Sequence, residues 1–221
     1  VKKEDNREII NIDELNNKIF GNVQRQIILR KGIEEEIKKI WNDTSKKIEV
    51  LNFKDACNLQ AGDRIIKSMM DNKFEYPVMG GGTSPTGYYD KYNFENAVTI
   101  SRAGSAGFVN WMPNKFWATD VCFIATQKDE SILIKYIYYF IKNESINFKH
   151  HIYGGSMPKL NKLYLWELPI PIPPVSVQKK IIEVLDHFAE LEAELEAELE
   201  ARRKQYEYYR EKLLTFKELK E

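Results

Sequence analysis

Residues 178–221 contain neither glycine nor proline, and prolines at 169, 171, 173 and 174 stand just before them. Nothing in that stretch stops a helix once it starts, because both strong helix breakers are missing. Its apolar residues also keep helical time. Ile181, Leu185, Phe188, Leu195, Leu199, Tyr206, Tyr209, Leu213 and Phe216 fall on alternating steps of three and four, the spacing of a coiled-coil seam. Glu192 and Arg202 interrupt it. A helix of this span is about 60 Å long at 1.5 Å per residue. A compact domain has no use for such a rod. The seam therefore predicts a chain that pairs with a second helix, to measure a distance or to join partners.

The rest divides into two further regions. Residues 1–48 are dense in charge and read as an N-terminal helical arm. Asp13 caps a short helix through Phe20, Gly21 breaks it, and Val23, Ile27, Ile33, Ile37, Ile40 and Trp41 continue at helical spacing. That stripe also needs cover, and the C-terminal seam is the candidate, in the same chain or from another copy. Residues 49–175 are mixed. A strand is expected over 47–53, a helical turn or loop over 55–59, strands over 97–101 and 121–125, and a helix over 131–143. These β-branched runs have strand length, whereas 131–143 is apolar almost all round and is expected to be buried. Short strands and several glycine turns favour an α+β domain over a doubly wound sheet. The prolines are expected to end this domain and release residues 176–221 as the long helix.

Charge and composition narrow the function. The net charge of the 221 residues is zero, so no global basic excess points to nucleic acid. Its distribution is uneven: residues 142–162 carry four Lys and two His against one Glu, and local charge governs contact. Cys57 and Cys122 are the two cysteines and read as buried, reduced thiols of a cytoplasmic protein rather than a disulfide or zinc site. No apolar run approaches the roughly 20 residues of a membrane span, and no signal-peptide pattern opens the sequence. Catalytic sets are missing too: neither Gly-x-Ser-x-Gly, nor His-Glu-x-x-His, nor the Asn/Asp-Pro-Pro-Tyr/Phe tetrapeptide of adenine methylases is present. Nor is there a glycine-rich turn suited to S-adenosylmethionine. The expectation is a binding protein, not an enzyme.

Three loops carry the candidate contacts. Residues 80–87 lack both the P-loop ending and the dinucleotide glycine order. They read either as a surface loop or as one whose backbone and hydroxyls (Gly81, Thr83, Ser84, Thr86) approach a polyanion beside Tyr88. Arg102, framed by Gly104, Ser105 and Gly107, sits at a strand end. It suits a bidentate guanine or phosphate contact, or else an ion pair with a nearby acid. Residues 150–160 hold His150, His151, Tyr153, Ser156 and Lys159. Adjacent histidines point apart and make poor joint metal ligands, so no metal is expected. Phosphate contact by Lys149 and Lys159 competes there with plain solvated charge. Trp111, Trp117 and Trp166 read as packing residues, and Asp120 as a turn or cap acid.

An ordered set of motifs carries a family resemblance over residues 49–221. Ser101, Arg102, Gly104 and Gly107 come first, then Phe116 to Asp120, Gly154 to Asn161, the Leu168–Pro174 proline run, Gln178 to Ile181 and Tyr208 to Leu214. In this order they resemble the specificity subunit of a type I restriction–modification enzyme. The family usually has Glu-Gln at the helix start, and here Val177-Gln178 stands instead, which removes a capping carboxylate. The resemblance implies a target-recognition domain that reads one half of a split site in double-stranded DNA. Its implied contacts are Gly81, Thr83, Ser84, Thr86, Tyr88, Arg102, Ser105, His150, His151, Tyr153, Ser156 and Lys159. With room for one such domain and one long helix, the chain resembles a half subunit. Two copies would pair as a homodimer through antiparallel helices and read identical half-sites in opposite orientation. The rod would dock methylase subunits, which bind S-adenosylmethionine, and through them restriction subunits; no cofactor is expected in this chain. The competing expectation is a coiled-coil adaptor whose globular domain binds protein.

Overall fold

Period-two alternation decides what the two central strands bury. We label elements in chain order. In β5 (Ala97–Ser101) and β8 (Cys122–Gln127), Val98, Ile100, Phe123 and Ala125 enter one core, while Ala97, Cys122 and Ile124 enter another. Strands buried on both faces read as unbroken apolar runs, which is why both were visible in the sequence. A computed structural model describes residues 48–215 together with Gly32, Glu35, Lys38 and Lys39, these four being helical. The stripe expected on the N-terminal arm, from Val23 to Trp41, lies outside the described residues, as does Phe216.

The main sheet is antiparallel, in the order β2 (Cys57–Ala61), β8, β5, β6 (Val109–Met112). One face packs on α2 (Ile134–Phe148), which buries Ile134, Tyr136, Ile137, Ile141 and Phe148. The other face meets a small sheet of β4 (Gly87–Tyr89), β3 (Tyr76–Met79) and β7 (Trp117–Ala118). The fold is α+β, as expected. Two local readings change. Residues 57–59 are strand, because Cys57–Ala61 continue the ladder along β8; only Phe53–Ala56 (α1) form the helical turn. α2 starts later and runs further than 131–143, and it is amphipathic, with Lys142, Asn143, Ile146 and Asn147 exposed.

The prolines do not end the sheet. Pro169–Ile172 is a strand, β11, paired antiparallel with β1 (Glu49–Asn52). A strand residue points its N and its carbonyl to the same side, and the Tyr136 hydroxyl donates to the Pro171 carbonyl at 2.6 Å. The Pro171 nitrogen therefore faces away from β1, so its missing N–H removes nothing from that ladder. Pro169, two residues away, faces the same way. The chain then turns at Pro174 into α4 (Val175–Leu214), which starts three residues before Gln178. Val177 and Gln178 are buried, and Ile181 and Ile182 pack on the main core. From Glu192 to the end of α4 every residue is exposed, Leu195, Leu199, Tyr206, Tyr209 and Leu213 included. Phe188 is exposed too and Leu185 half-buried. The long helix is present, and its apolar side chains from Leu195 to Leu213, together with Phe188, are exposed.

Candidate nucleic-acid interface

Three segments picked from the sequence are stitched together by backbone. Residues 80–86 join β3 to β4 and are closed by Thr86, whose N–H and hydroxyl both donate to the Val78 carbonyl at 2.9 and 3.2 Å. Residues 102–108 turn β5 into β6. There the Ser101 N–H donates to the Phe108 carbonyl and the Gly107 N–H to the Ser101 carbonyl, both at 2.8 Å. Gly104 and Gly107 hold φ of 80° and 86°, values that L side chains rarely adopt. The Ser105 N–H donates to the Gly81 carbonyl at 2.7 Å, locking the first segment to the second. A Cβ on Gly81 would lie 2.1 Å from the Ala103 carbonyl oxygen, so only glycine permits that approach.

The third segment closes on the same turn. After a 3-10 turn over Lys149–His151, β9 (Ile152–Tyr153) and β10 (Lys159–Leu160) form a short hairpin. Lys159 bridges Ala103, and the Leu160 N–H donates to the Arg102 carbonyl at 2.9 Å. Asn161 then caps α3 (Lys162–Trp166) by accepting from the Leu163 and Tyr164 N–H groups. Beneath the first segment, the buried Cys122 Sγ donates to the Gly80 carbonyl at 3.0 Å. Burial pushes this thiol, and that of Cys57, up to about 12.

On this scaffold Thr83, Ser84, Thr86, Tyr88, Arg102, Ser105, His150, Tyr153, Ser156 and Lys159 are all exposed, while Gly81 is half-buried in the seam between segments. Arg102 lies over the Phe123 ring, 5.8 Å from its centroid. Phe123 in turn meets Trp166 edge to face at 4.8 Å. Among the described residues Arg102, Lys149 and Lys159 make no ion pair, so a surface arginine neutralised by a neighbour is not what is found. His151 differs from its neighbour. Its ring stacks on Tyr164 at 3.4 Å and 8°, while His150 is exposed. The described residues contain no group of three or more His, Cys, Asp or Glu placed to hold a metal, and no helix among them is long and apolar enough to cross a membrane.

A groove of about 630 Å³ extends this surface. One wall is the turn from Gly104 to Phe108; the other is the outer face of α2 with Lys142 and Ser145, continued by Lys149 of the following 3-10 turn, and no acidic residue lines it. Steps of three and four put these side chains on one helical ridge. The sequence reading missed Lys142 and Phe108, because nothing local says that this face of α2 lies against the β5–β6 turn. The arrangement offers lysines and hydroxyls to phosphate oxygens and a forked guanidinium to a base edge.

Residues 45–201 match the profile described as the type I restriction modification DNA specificity domain. The chain belongs to that family. A Mycoplasma pneumoniae protein assigned as a type I specificity subunit is 33% identical over 173 residues, which cover 76% of this chain and 47% of that protein. A Haemophilus influenzae protein assigned as a type I restriction enzyme specificity subunit is 39% identical over 152 residues, 63% of this chain and 39% of that protein. Among solved structures, the specificity subunit of a type I restriction–modification system from M. genitalium superposes with a TM-score of 0.62 at 22% identity, covering 79% of this chain and 47% of that one. At that identity the likeness is one of fold. This chain thus spans about half or less of the length of these proteins. The adaptor expectation finds no support among them.

Proposed function

We propose that this chain reads DNA sequence for a type I restriction–modification enzyme and performs no chemistry itself. The observation that carries this is the joining of residues 80–86, 102–108 and 150–160 by backbone bonds, with Arg102 and Lys159 exposed and without an ion pair among the described residues and Lys149 in the adjoining groove. Arg102 reads a base edge, the lysines and hydroxyls position the surface on phosphates, and residues 49–175 act as the reading domain. α4 supplies the pairing helix. Two copies join through the uncovered seam as a homodimer, each reading one half of a split site in the cytoplasm. The rod docks methylase subunits, which bring S-adenosylmethionine, and through them restriction subunits; this chain binds no cofactor. His151 supports the surface from beneath, through its stack on Tyr164.

The test is a methylation map of host DNA with and without the gene. Loss of a split palindromic methyladenine motif is the expected result. Loss of an asymmetric motif would keep the reading role and reject self-pairing, leaving either a different partner half or a longer parent chain. No change, with the methylase neighbours expressed, would overturn the assignment.

A further inference from the structure

The long helix leaves the body of the protein through a junction built on directional bonds. Gln178, in its first turn, is wholly buried. Its Nε2 donates to the Ser131 and Pro173 carbonyls, each at 2.8 Å, and its Oε1 accepts from the Leu133 N–H at 2.8 Å. Two turns on, the half-buried Asp186 accepts from Lys135 Nζ at 2.7 Å and from the Tyr139 hydroxyl at 2.5 Å. Ile181 and Ile182 fill the space between with apolar contact. Apolar contact alone is non-directional and tolerates rolling. A desolvated amide with every partner in place does not, since any tilt strands a buried polar group.

These anchors grip the N-terminal half of α2 and the segment leading into it. The C-terminal half of α2 carries Lys142 and Ser145 of the candidate interface, and the 3-10 turn that directly follows it carries Lys149. One helix therefore joins the rod to the reading surface. The part of α4 beyond Asp186 runs about 40 Å, so a tilt of ~10° at the junction moves its far end by ~7 Å, about two base-pair rises.

We propose that Gln178 and Asp186 are positioning residues that fix the angle of α4 against α2, and with it the number of base pairs allowed between two half-sites. This rests on the DNA-reading function proposed above. The test uses the full chain assembled with its methylase, and duplexes that keep both half-sites while the spacer changes by one or two base pairs. Wild type methylates one spacer length strongly and its neighbours weakly. In Gln178→Ala that ratio falls by about tenfold, the scale of one buried hydrogen bond left unmade, while the bases preferred within each half-site stay the same. An unchanged ratio in a variant that is folded by circular dichroism overturns the proposal. Should Gln178→Ala not fold, Asp186→Asn decides: it weakens a half-exposed pair and leaves the core intact, and the same flattening is expected. If wild type methylates no bipartite duplex at all, the DNA-reading function fails and takes this proposal with it. Lost preference within a half-site would instead place the two residues in the reading surface.

Discussion

At residue scale, the proposed interface asks different things of its two kinds of cation. Arg102 holds a planar fork at the end of β5 over the Phe123 ring. Lys159 is a point charge held beside Ala103. Arg102→Ala should therefore weaken binding to the preferred site by about 1–3 kcal/mol and relax preference at one base position. Lys159→Ala should weaken binding to all sequences alike and flatten the salt dependence by about one unit of slope; binding titrations over salt and sequence distinguish the two. The buried thiols make a separate prediction. Their folded pKa values near 12 stand above the ordinary 9.0, so the native state keeps those protons longer. Their contribution to stability is full below about pH 9 and declines as pH rises towards 12. At pH 8 neither thiol should react with iodoacetamide until denaturant is added, as mass spectrometry would show. Much of the candidate surface was legible from single residues, since glycines, hydroxyls and cations clustered in three loops. The Gly81–Ser105 bond and the Lys159–Ala103 bridge were not, because no local pattern encodes which loops meet.

At the scale of elements, α2 holds the most responsibility. It covers the main sheet with Ile137 and Ile141, both fully buried, anchors α4 at one end and lines the groove at the other. Ile137→Ala should cost about 2–5 kcal/mol through lost burial and a residual cavity, readable as a lower denaturant midpoint with an unchanged slope. β5 and β8 were readable because burial on both faces leaves an unbroken β-branched run. β2 and β11 were not. Cys57–Ala61 alternates weakly, and Pro169–Ile172 looks like a terminator until β1 is seen beside it. A proline is hostile to a ladder only on the side that needs its N–H, and that side is a tertiary fact.

For the whole molecule, the pairing proposed above rests on the exposed apolar residues of α4. Leu195 and Leu199 are each about half exposed (51% and 52%) and stand at heptad spacing, the positions a second helix would cover. On the pairing proposed above, Leu195→Asp with Leu199→Asp should convert a dimer to a monomer in analytical ultracentrifugation and abolish reading of a split site, while circular dichroism of the body stays the same. The sequence by itself determined the long helix, the α+β class and the family, because each is written in local periodicity or in an ordered set of short motifs. Only the tertiary structure decided that three distant loops are joined by backbone bonds, that Lys142 of α2 lies beside the β5–β6 turn, and that the buried Gln178 of α4 bonds the segment leading into α2. Those are contacts between residues far apart in the chain, and their partners are chosen by packing rather than by spacing.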